Sequence, residues 1–388
     1  MIDPKFRFAT ESGALSPEGP HTWVVLDYDQ RRRYLLTGSA EIFPEHDYTK
    51  APEILAKYIN RLEPEVRSLN ISDDGALENT STDDTNGLLE SPIYYPHYSG
   101  EDGHILERSQ LIELDRLASG IDLVRAKGKL VAFKYALTSP SVMRVWNEMH
   151  IIKALKGHSS FVPFQQAIID EVEPRLLGFT TLFMPAGTLQ DNETIPFHFH
   201  WLHQLTSAVD DLNLRFGIMH RDIVPRNVAI DLGKTKRAVP NLKIFDFNIA
   251  HQIGVLPEEN SLDDIDGVVL TVYEALTRDT RCQDITDKKP FIKEIEGLTR
   301  WKSKASIEYG FGGVAGYRRF LSKWAINRRN IRRITHYSQA TEPIDWPKFL
   351  HLNKVPVEKW PTRIIPWERE PAAQLATLDR GSNTGLSE

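Results

Sequence analysis

The stretch MHRDIVPRNVAID at residues 219–231 decides which fold this sequence predicts. In this stretch, four residues separate a His-Arg-Asp triplet from Asn227. The stretch NLKIFDFN at 241–248 follows and carries an aspartate between two phenylalanines. Apolar residues alternate in NVAIDL (227–232) and again in 241–248, and the polar loop GKTKRAVP lies between them. This alternation predicts two β-strands joined as a hairpin.

The composition is typical of a folded globular protein, with 41% hydrophobic and 26% charged residues. A chain of 388 residues has room for two or three domains. The 47 basic and 53 acidic residues give a net charge of 47 − 53 = −6, which disfavours nucleic acid and anionic membranes as partners. Cys282 is the only cysteine, so an internal disulfide and a cysteine-based zinc site are excluded. A metal would therefore need oxygen or imidazole ligands.

The N-terminal sequence MIDPKFRFATESG has no basic start followed by an apolar core, so it does not resemble a secretory signal. No window approaches 18 uninterrupted apolar residues, and we therefore expect no membrane span. The expectation is an intracellular protein, in the cytoplasm or the nucleus, that is not secreted.

The front of the chain predicts a separate N-terminal extension over residues 1–70. Short strands are expected at 22–29 and 31–43, and a helix at 52–69. The stretch 71–92 is rich in Asp, Asn, Ser, Thr and Gly, so we predict a polar linker over 71–105.

The middle of the chain contains longer apolar periodic segments. The predicted strands are 129–137 and 175–184, and the predicted helices are 141–155, 196–217 and 262–277. The last segment, 361–388, has little apolar surface to pack and predicts a flexible tail.

The order of these parts resembles the protein-kinase-like superfamily. The resemblance rests on four features: VAFK with Lys134, Glu148 on a predicted helix 14 residues later, the His-Arg-Asp triplet with Asn227, and Asp246 within FDF. The resemblance implies an α+β, bilobal fold, with a β-rich N-lobe containing the C-helix at 106–184 and a helical C-lobe at 185–360. The short loops make the chain similar to divergent fungal kinase-like proteins.

The resemblance also implies ATP and Mg²⁺ as cofactors. Phosphoryl transfer spreads charge over the phosphoryl oxygens, so catalysis rests on positioning and on charge neutralisation. Lys134 would contact the α- and β-phosphates and pair with Glu148. Asp222 would accept or orient the acceptor hydroxyl. Asn227 and Asp246 would hold magnesium, a hard cation that prefers oxygen ligands.

Other positions follow from the same resemblance. Arg221 and Asp264 would brace the catalytic loop, while His220 and Phe247 would pack in an apolar spine. Thr181 would be the gatekeeper before the hinge LFMPAGTL. The predicted nucleotide-binding residues are Lys134, Gly120, Val124, Ala132, Thr181, Phe183, Met184 and Ala229.

Several positions depart from the family pattern. Asp122 stands where a glycine would let the backbone approach phosphate, and its carboxylate would repel the ligand. Asn248 replaces the glycine after Asp-Phe, and asparagine tolerates a left-handed backbone better than most residues, so the turn would be able to survive this replacement. Val224 replaces a lysine, and Arg226, counted among the catalytic residues, would clamp phosphate or face solvent.

The segment that would form the activation loop is short, because only 17 residues separate Asp246 from Asp264. LPEE at 256–259 looks like its ending. Control by phosphorylation of this loop is therefore not expected.

Three functions remain open from the sequence. The first is an atypical phosphotransferase that moves the ATP γ-phosphate to a protein Ser, Thr or Tyr hydroxyl. The second is a weak or inactive pseudokinase scaffold, and the third is a small-molecule kinase of the aminoglycoside or choline kinase type. The basic segment 317–334, with seven Lys or Arg and no acid, would be a solvated helix pair or a docking surface for an acidic partner.

Overall fold

The protein is described by a computed structural model that covers residues 6–16, 19–82, 93–100, 103–192, 194–233, 239–255, 263–283, 285, 287–307, 312–351 and 354–359. The chain forms two compact units. Unit 1 comprises Met1–Met143, Gln166–Thr180 and Leu350–Glu388, and unit 2 comprises Arg144–Gln165 and Thr181–Phe349.

The described residues form a mixed α+β protein, which confirms the predicted class at that level. The strands are β1 (Phe8–Ala14), β2 (His21–Asp27), β3 (Arg32–Gly38), β4 (Ser68–Ile71), β5 (Leu77–Ser81), β6 (Ile105–Glu107), β7 (Ile112–Ala118), β8 (Ile121–Ala126), β9 (Lys129–Tyr135), β10 (Phe164–Ile169), β11 (Leu176–Leu182), β12 (Ile218–Met219), β13 (Val228–Asp231), β14 (Asn241–Ile244) and β15 (His251–Gln252). The helices are α1 (Lys50–Tyr58), α2 (Ser139–Ala154), α3 (Phe199–Asp210), α4 (Asp264–Thr277), α5 (Lys289–Gly297) and α6 (Gly313–Asn330).

The N-terminal part of unit 1 is a five-stranded sheet in the order β1-β2-β3-β4-β5. β2 is buried along its whole length, and α1 supplies Ile54 and Leu55 to the same core. Apolar side chains of β2, β3 and α1 therefore give this region its own hydrophobic core.

The polar-linker prediction for 71–105 is wrong at its start, because β4 and β5 pair antiparallel there. Leu69 and Ile71 of β4 are buried, while β5 carries the polar sequence LENTS and is joined by backbone pairing and by the Asn70–Asn79 side-chain bond. The helix expected to run to residue 69 ends at Tyr58, because the chain has to enter β4 at Ser68. Residues 83–92 of the predicted linker lie outside the described residues.

A second sheet in the order β6-β10-β11-β9-β8-β7 contains the strands predicted at 129–137 and 175–184. The first sheet and strands β6–β9 belong to one unit, although the sequence analysis separates the extension 1–70 from the N-lobe 106–184. The lobe boundaries therefore stay predictions.

Unit 2 contains the predicted helices as α3 and α4, and the predicted hairpin as β13 and β14, which pair antiparallel from Val228↔Ile244 to Asp231↔Asn241. α4 is buried over nearly all of its length and forms the centre of this unit. The helix predicted at 141–155 is α2.

The basic segment 317–334 is a single helix, α6, followed by a turn, so the predicted helix pair is wrong. Its four-residue spacing of Tyr317, Leu321 and Ala325 places one buried stripe on one helix. The predicted tail at 361–388 and the LPEE sequence lie outside the described residues. No helix in the described ranges is long and apolar enough to cross a membrane.

Candidate catalytic site

The loop after β12 is held by the carboxylate of Asp264, which is 1% exposed. Its Oδ2 accepts from the backbone N–H of His220 at 2.8 Å and from Asn213 Nδ2 at 2.8 Å. Its Oδ1 accepts from the backbone N–H of Arg221 at 2.7 Å. Arg221 has φ +69°, a left-handed conformation that costs about 1–3 kcal/mol and needs such support. The predicted bracing of this loop by Asp264 is confirmed.

α4 approaches the same loop closely because it presents small residues to it. A Cβ on Gly267 would lie 2.9 Å from the carbonyl oxygen of Ile223. Thr271 Oγ1 donates to that same carbonyl oxygen at 2.9 Å. Asp263 caps the helix by accepting from the backbone N–H of Ile265 at 2.8 Å. The centre of unit 2 thus fixes the loop at both Arg221 and Ile223.

Asp222 and Asn227 are brought together at the two ends of this loop. Asn227 Nδ2 donates to Asp222 Oδ2 at 2.8 Å and to the Asp222 carbonyl oxygen at 3.0 Å. Both of these oxygens only accept hydrogen bonds, so the amide nitrogen must face them and Asn227 Oδ1 must face away. An oxygen of fixed direction remains on Asn227, which is only 3% exposed.

Arg226 contacts Asp222 and does not extend freely into solvent. Its Nη2 donates to both carboxylate oxygens, at 3.0 and 2.8 Å. The Arg226 side chain is 53% exposed and that of Asp222 is 20% exposed. An ion pair this exposed contributes little stability, typically about 0.2–1 kcal/mol, so its main effect is to orient the carboxylate.

Asp246 lies two residues after the end of β14, and a backbone hydrogen bond of the preceding residue connects this turn to Asn227. The N–H of Phe245 donates to the carbonyl oxygen of Asn227 at 3.1 Å. Asp246 has φ +65°, whereas Asn248 has no positive φ. The turn therefore forms without a left-handed residue at Asn248. The residue with the strained backbone is Asp246, which is itself the candidate magnesium ligand.

His220 and Phe247 pack as predicted. Their ring centroids are 4.6 Å apart, and Phe247 continues to Phe161 at 5.8 Å. The N–H of Asp222 donates to His220 Nδ1 at 3.3 Å, so the other ring nitrogen carries the proton and donates to the Phe245 carbonyl at 3.0 Å. His220 therefore has a structural role, because its ring connects the backbone of Asp222 to that of Phe245.

Glu148 on α2 is 2% exposed, and its Oε1 accepts from the backbone N–H of Phe247 at 3.1 Å. This bond ties the helix to the turn that carries Asp246. The predicted Lys134–Glu148 ion pair would join residues of different units and stays a prediction.

The oxygen donors suit magnesium. Within the described residues there is no group of three or more His, Cys, Asp or Glu able to hold a metal ion. Mg²⁺ needs fewer protein ligands, because it keeps several waters and binds through one or two protein oxygens and substrate phosphates. Asn227 Oδ1 and the Asp246 carboxylate are the donors that fit this demand.

The other predicted nucleotide-binding residues are divided between the units. Unit 1 carries Gly120 in the β7–β8 turn, Val124 on β8, and Ala132 and Lys134 on β9. Unit 2 carries Thr181, Phe183, Met184 and Ala229. Their assignment to one nucleotide site stays a prediction.

The repulsion predicted for Asp122 is wrong, because its carboxylate is neutralised within unit 1. Arg116 Nε donates to Asp122 Oδ1 at 3.0 Å, and Arg31 lies 3.5 Å from Oδ2. Burial raises the pKa of Asp122 against these two guanidiniums. Arg31 was not predictable because it lies 91 positions from its partner in the sequence, and no local pattern reports such a contact.

The short segment after Asp246 is tied to the loop before Asp222. β15 pairs antiparallel with β12, as Ile218↔Gln252 and Met219↔His251. The N–H of Ile253 donates to the Gly217 carbonyl at 3.0 Å. These bonds fix residues 251–253 against the strand that leads into the loop.

The basic residues of 317–334 are partly neutralised. Arg328 is 4% exposed and pairs with Asp210 at 3.2 Å, and Arg332 pairs with the same carboxylate at 3.1 Å. Arg329 pairs with Asp266 at 2.7 Å and with Glu296 at 2.9 Å. The segment therefore offers a weaker positive surface than its sequence predicts.

A comparison with protein-family models and a search of curated proteins each found no match to this chain.

Proposed function

We propose that this protein is a kinase-like phosphotransferase with a bilobal fold, which moves the γ-phosphoryl group of ATP to a hydroxyl group of a protein Ser, Thr or Tyr. The observation that carries the proposal is the bonding of Asn227. Its amide nitrogen is used up on Asp222, so its oxygen is left for a cation beside the turn that bears Asp246. The proposed site therefore combines the oriented carboxylate of Asp222 with two candidate magnesium ligands, Asn227 Oδ1 and the Asp246 carboxylate.

In this proposal Asp222 orients the acceptor hydroxyl and takes its proton. The hydroxyl oxygen forms the new bond to the γ-phosphorus as the bond to the β-phosphate oxygen breaks and ADP leaves. Mg²⁺, when bound, neutralises charge on the phosphate oxygens. Asn227 and Arg226 hold the Asp222 carboxylate in one orientation, which supplies positioning before the reaction.

A second candidate, a pseudokinase scaffold, is supported by the pairing of Arg226 with both oxygens of Asp222. Because Arg226 occupies both oxygens, this carboxylate is less accessible to an acceptor hydroxyl. On this account the chain binds nucleotide without turnover.

The test is phosphate transfer from γ-labelled ATP by the full chain with Mg²⁺, using a mixed Ser/Thr/Tyr peptide library. We expect transfer by the wild type and a loss of at least a hundredfold in Asp222→Asn. The control is Asp287→Asn, an exposed carboxylate that accepts from Lys289 N–H. Equal transfer by wild type and Asp222→Asn would contradict the proposal, and nucleotide binding without any transfer would support the scaffold.

A further inference from the structure

Unit 2 also has a positively charged groove, which meets the basic segment 317–334 at Arg318, whose guanidinium lies 5.9 Å from the centroid of the Trp301 ring in the groove wall. Two cavities of about 410 and 520 Å³ share Arg278, Thr280 and Lys304 in their walls, so they adjoin one another. We call their combined surface the basic groove. Its cationic wall residues are Arg278, Arg281, Arg300, Lys302 and Lys304.

One end of the basic groove reaches the loop that carries the catalytic candidates. The smaller cavity is lined by Pro225, the neighbour of Arg226, and by Glu274 and Ala275 of α4. Arg226 in turn binds Asp222. The groove therefore borders the loop that also carries Asp222.

The cations of the groove differ in how far they are neutralised. Arg281 pairs with Asp279 at 2.8 Å and with Glu294 at 3.3 Å, and Arg278 donates to the Asn192 carbonyl. In the described part of the chain, no ion pair engages the remaining three cations. These are Arg300, Lys302 and Lys304, and all three are exposed.

The backbone that presents these three side chains is fixed. The N–H groups of Lys304 and Ala305 both donate to the Leu276 carbonyl, at 3.0 and 3.2 Å, and Ser303 Oγ donates to it at 3.1 Å. The segment is thus anchored on the end of α4 while its charged heads remain in solvent. Five cations against the two carboxylates Glu274 and Asp279 leave the groove walls positive.

The aromatic residues of the groove disfavour a nucleic acid as its ligand. Tyr273 is 5% exposed with its hydroxyl on Asp279, and Trp301 is 7% exposed with its indole N–H on the Ile295 carbonyl. Single-stranded nucleic acids gain much of their affinity by stacking bases on exposed rings, which these two do not offer. An extended acidic peptide does not depend on stacking and can bind through the spaced cations of the groove alone.

We infer that the basic groove binds an acidic peptide segment of the acceptor protein and presents its hydroxyl residue to Asp222. The inference rests on the proposed function and adds the substrate class to it. Exposed charges act mainly through long-range attraction, so binding should weaken as salt rises.

The experiment measures fluorescence anisotropy of labelled peptides on the full chain without nucleotide. The probes are a serine peptide flanked by four glutamates, the same peptide with four lysines, and a single-stranded RNA of similar charge. The groove variant combines Arg300→Glu, Lys302→Glu and Lys304→Glu. The matched control combines Arg319→Glu and Lys323→Glu on α6, both exposed.

We expect the acidic peptide to bind at least tenfold tighter than the lysine peptide, and this preference to be lost in the groove variant and kept in the control. Equal binding of both peptides, loss of preference only in the α6 control, or tighter binding of the RNA would each overturn the inference. Because the readout requires no nucleotide, peptide binding without transfer would reject only the proposed reaction.

Discussion

At the scale of single residues, Asp264 shows how one buried carboxylate organises a loop. It accepts from two consecutive backbone N–H groups, His220 and Arg221, and from Asn213. These hydrogen bonds satisfy a buried carboxylate, and its donors have no access to water instead. Removing it would leave these donors buried without partners.

We therefore predict that Asp264→Ala lowers the free energy of unfolding by about 3–5 kcal/mol, the usual cost of breaking a buried charged network. Urea denaturation followed by tryptophan fluorescence measures this. The control Asp287→Asn should change it by less than about 0.5 kcal/mol, as surface substitutions usually do. An equal effect of both variants would contradict the assigned role of Asp264.

We expect the free energy of unfolding to depend on pH through His150 on α2. Burial, helped by the charge of Lys153, lowers its pKa to about 4. The unfolded chain binds a proton near pH 6.5 and the folded protein does not, so stability is fully present above pH 6.5 and falls as the pH drops toward 4. The limiting slope for one proton is about 1.4 kcal/mol per pH unit.

His150→Phe keeps a ring against Trp146, whose centroid lies 4.6 Å away, and removes the titration. We expect urea midpoints of this variant to fall less steeply between pH 6.5 and 4.5 than those of the wild type. His46→Gln, at an exposed position, should retain the wild-type slope. Parallel curves for His150→Phe and wild type would show that His150 titrates normally.

At the scale of elements, the β8–β9 hairpin carries a local strain. Ala126 pairs with Lys129, which leaves a two-residue turn of Lys127 at φ +47° and Gly128 at φ +76°. Two positive φ angles define a type I′ turn, which prefers Asn-Gly. A lysine at its first position is therefore the costly choice.

Lys127→Asn should raise the free energy of unfolding by about 0.5–1 kcal/mol, because asparagine tolerates the left-handed region better. Thermal denaturation of the variant measures the change. The same substitution at Lys129, which lies on the exposed side of β9, should give no gain. A destabilised Lys127→Asn would show that the Lys127–Gln166 contact at 3.5 Å outweighs the strain.

The elements differ in how far they could be predicted from sequence. α3, α4 and the β13–β14 hairpin have strong apolar periodicity, which is a local property, and all three were predictable. β5 has a polar sequence and depends on its pairing with β4, so no local signal marks it. The helix pair predicted for 317–334 is wrong because α6 runs without interruption from Gly313 to Asn330.

At the scale of the whole molecule, the candidate site was partly predictable. The spacing of Asp222, Asn227 and Asp246 is short-range and visible in the sequence, and the bonds around Asn227 agree with it. One partner of Asp122, Arg31, is not visible in the sequence pattern, because it lies in the distant turn between β2 and β3. The extension therefore belongs to the same unit as the strands that carry Gly120 and Lys134.

The basic groove was also hidden from sequence reasoning. Its cations come from two short stretches, Arg278 and Arg281 after α4 and Arg300, Lys302 and Lys304, which only the fold brings together. The run at 317–334 looked more basic, but Asp210, Asp266 and Glu296 pair with three of its six arginines. Charge in a sequence predicts a binding surface only when the fold leaves it unpaired.

The central claim is that Asn227 and Asp246 provide a magnesium site for ATP. The most direct measurement is the melting temperature of the full chain with millimolar ATP, with and without Mg²⁺. A ligand at a hundred times its Kd stabilises a fold by about 2.7 kcal/mol, so we predict a rise in melting temperature of several degrees that requires Mg²⁺ and is lost in Asp246→Asn. The control Asp287→Asn should keep it. No shift at millimolar ATP, or an equal shift in Asp246→Asn, would contradict the account.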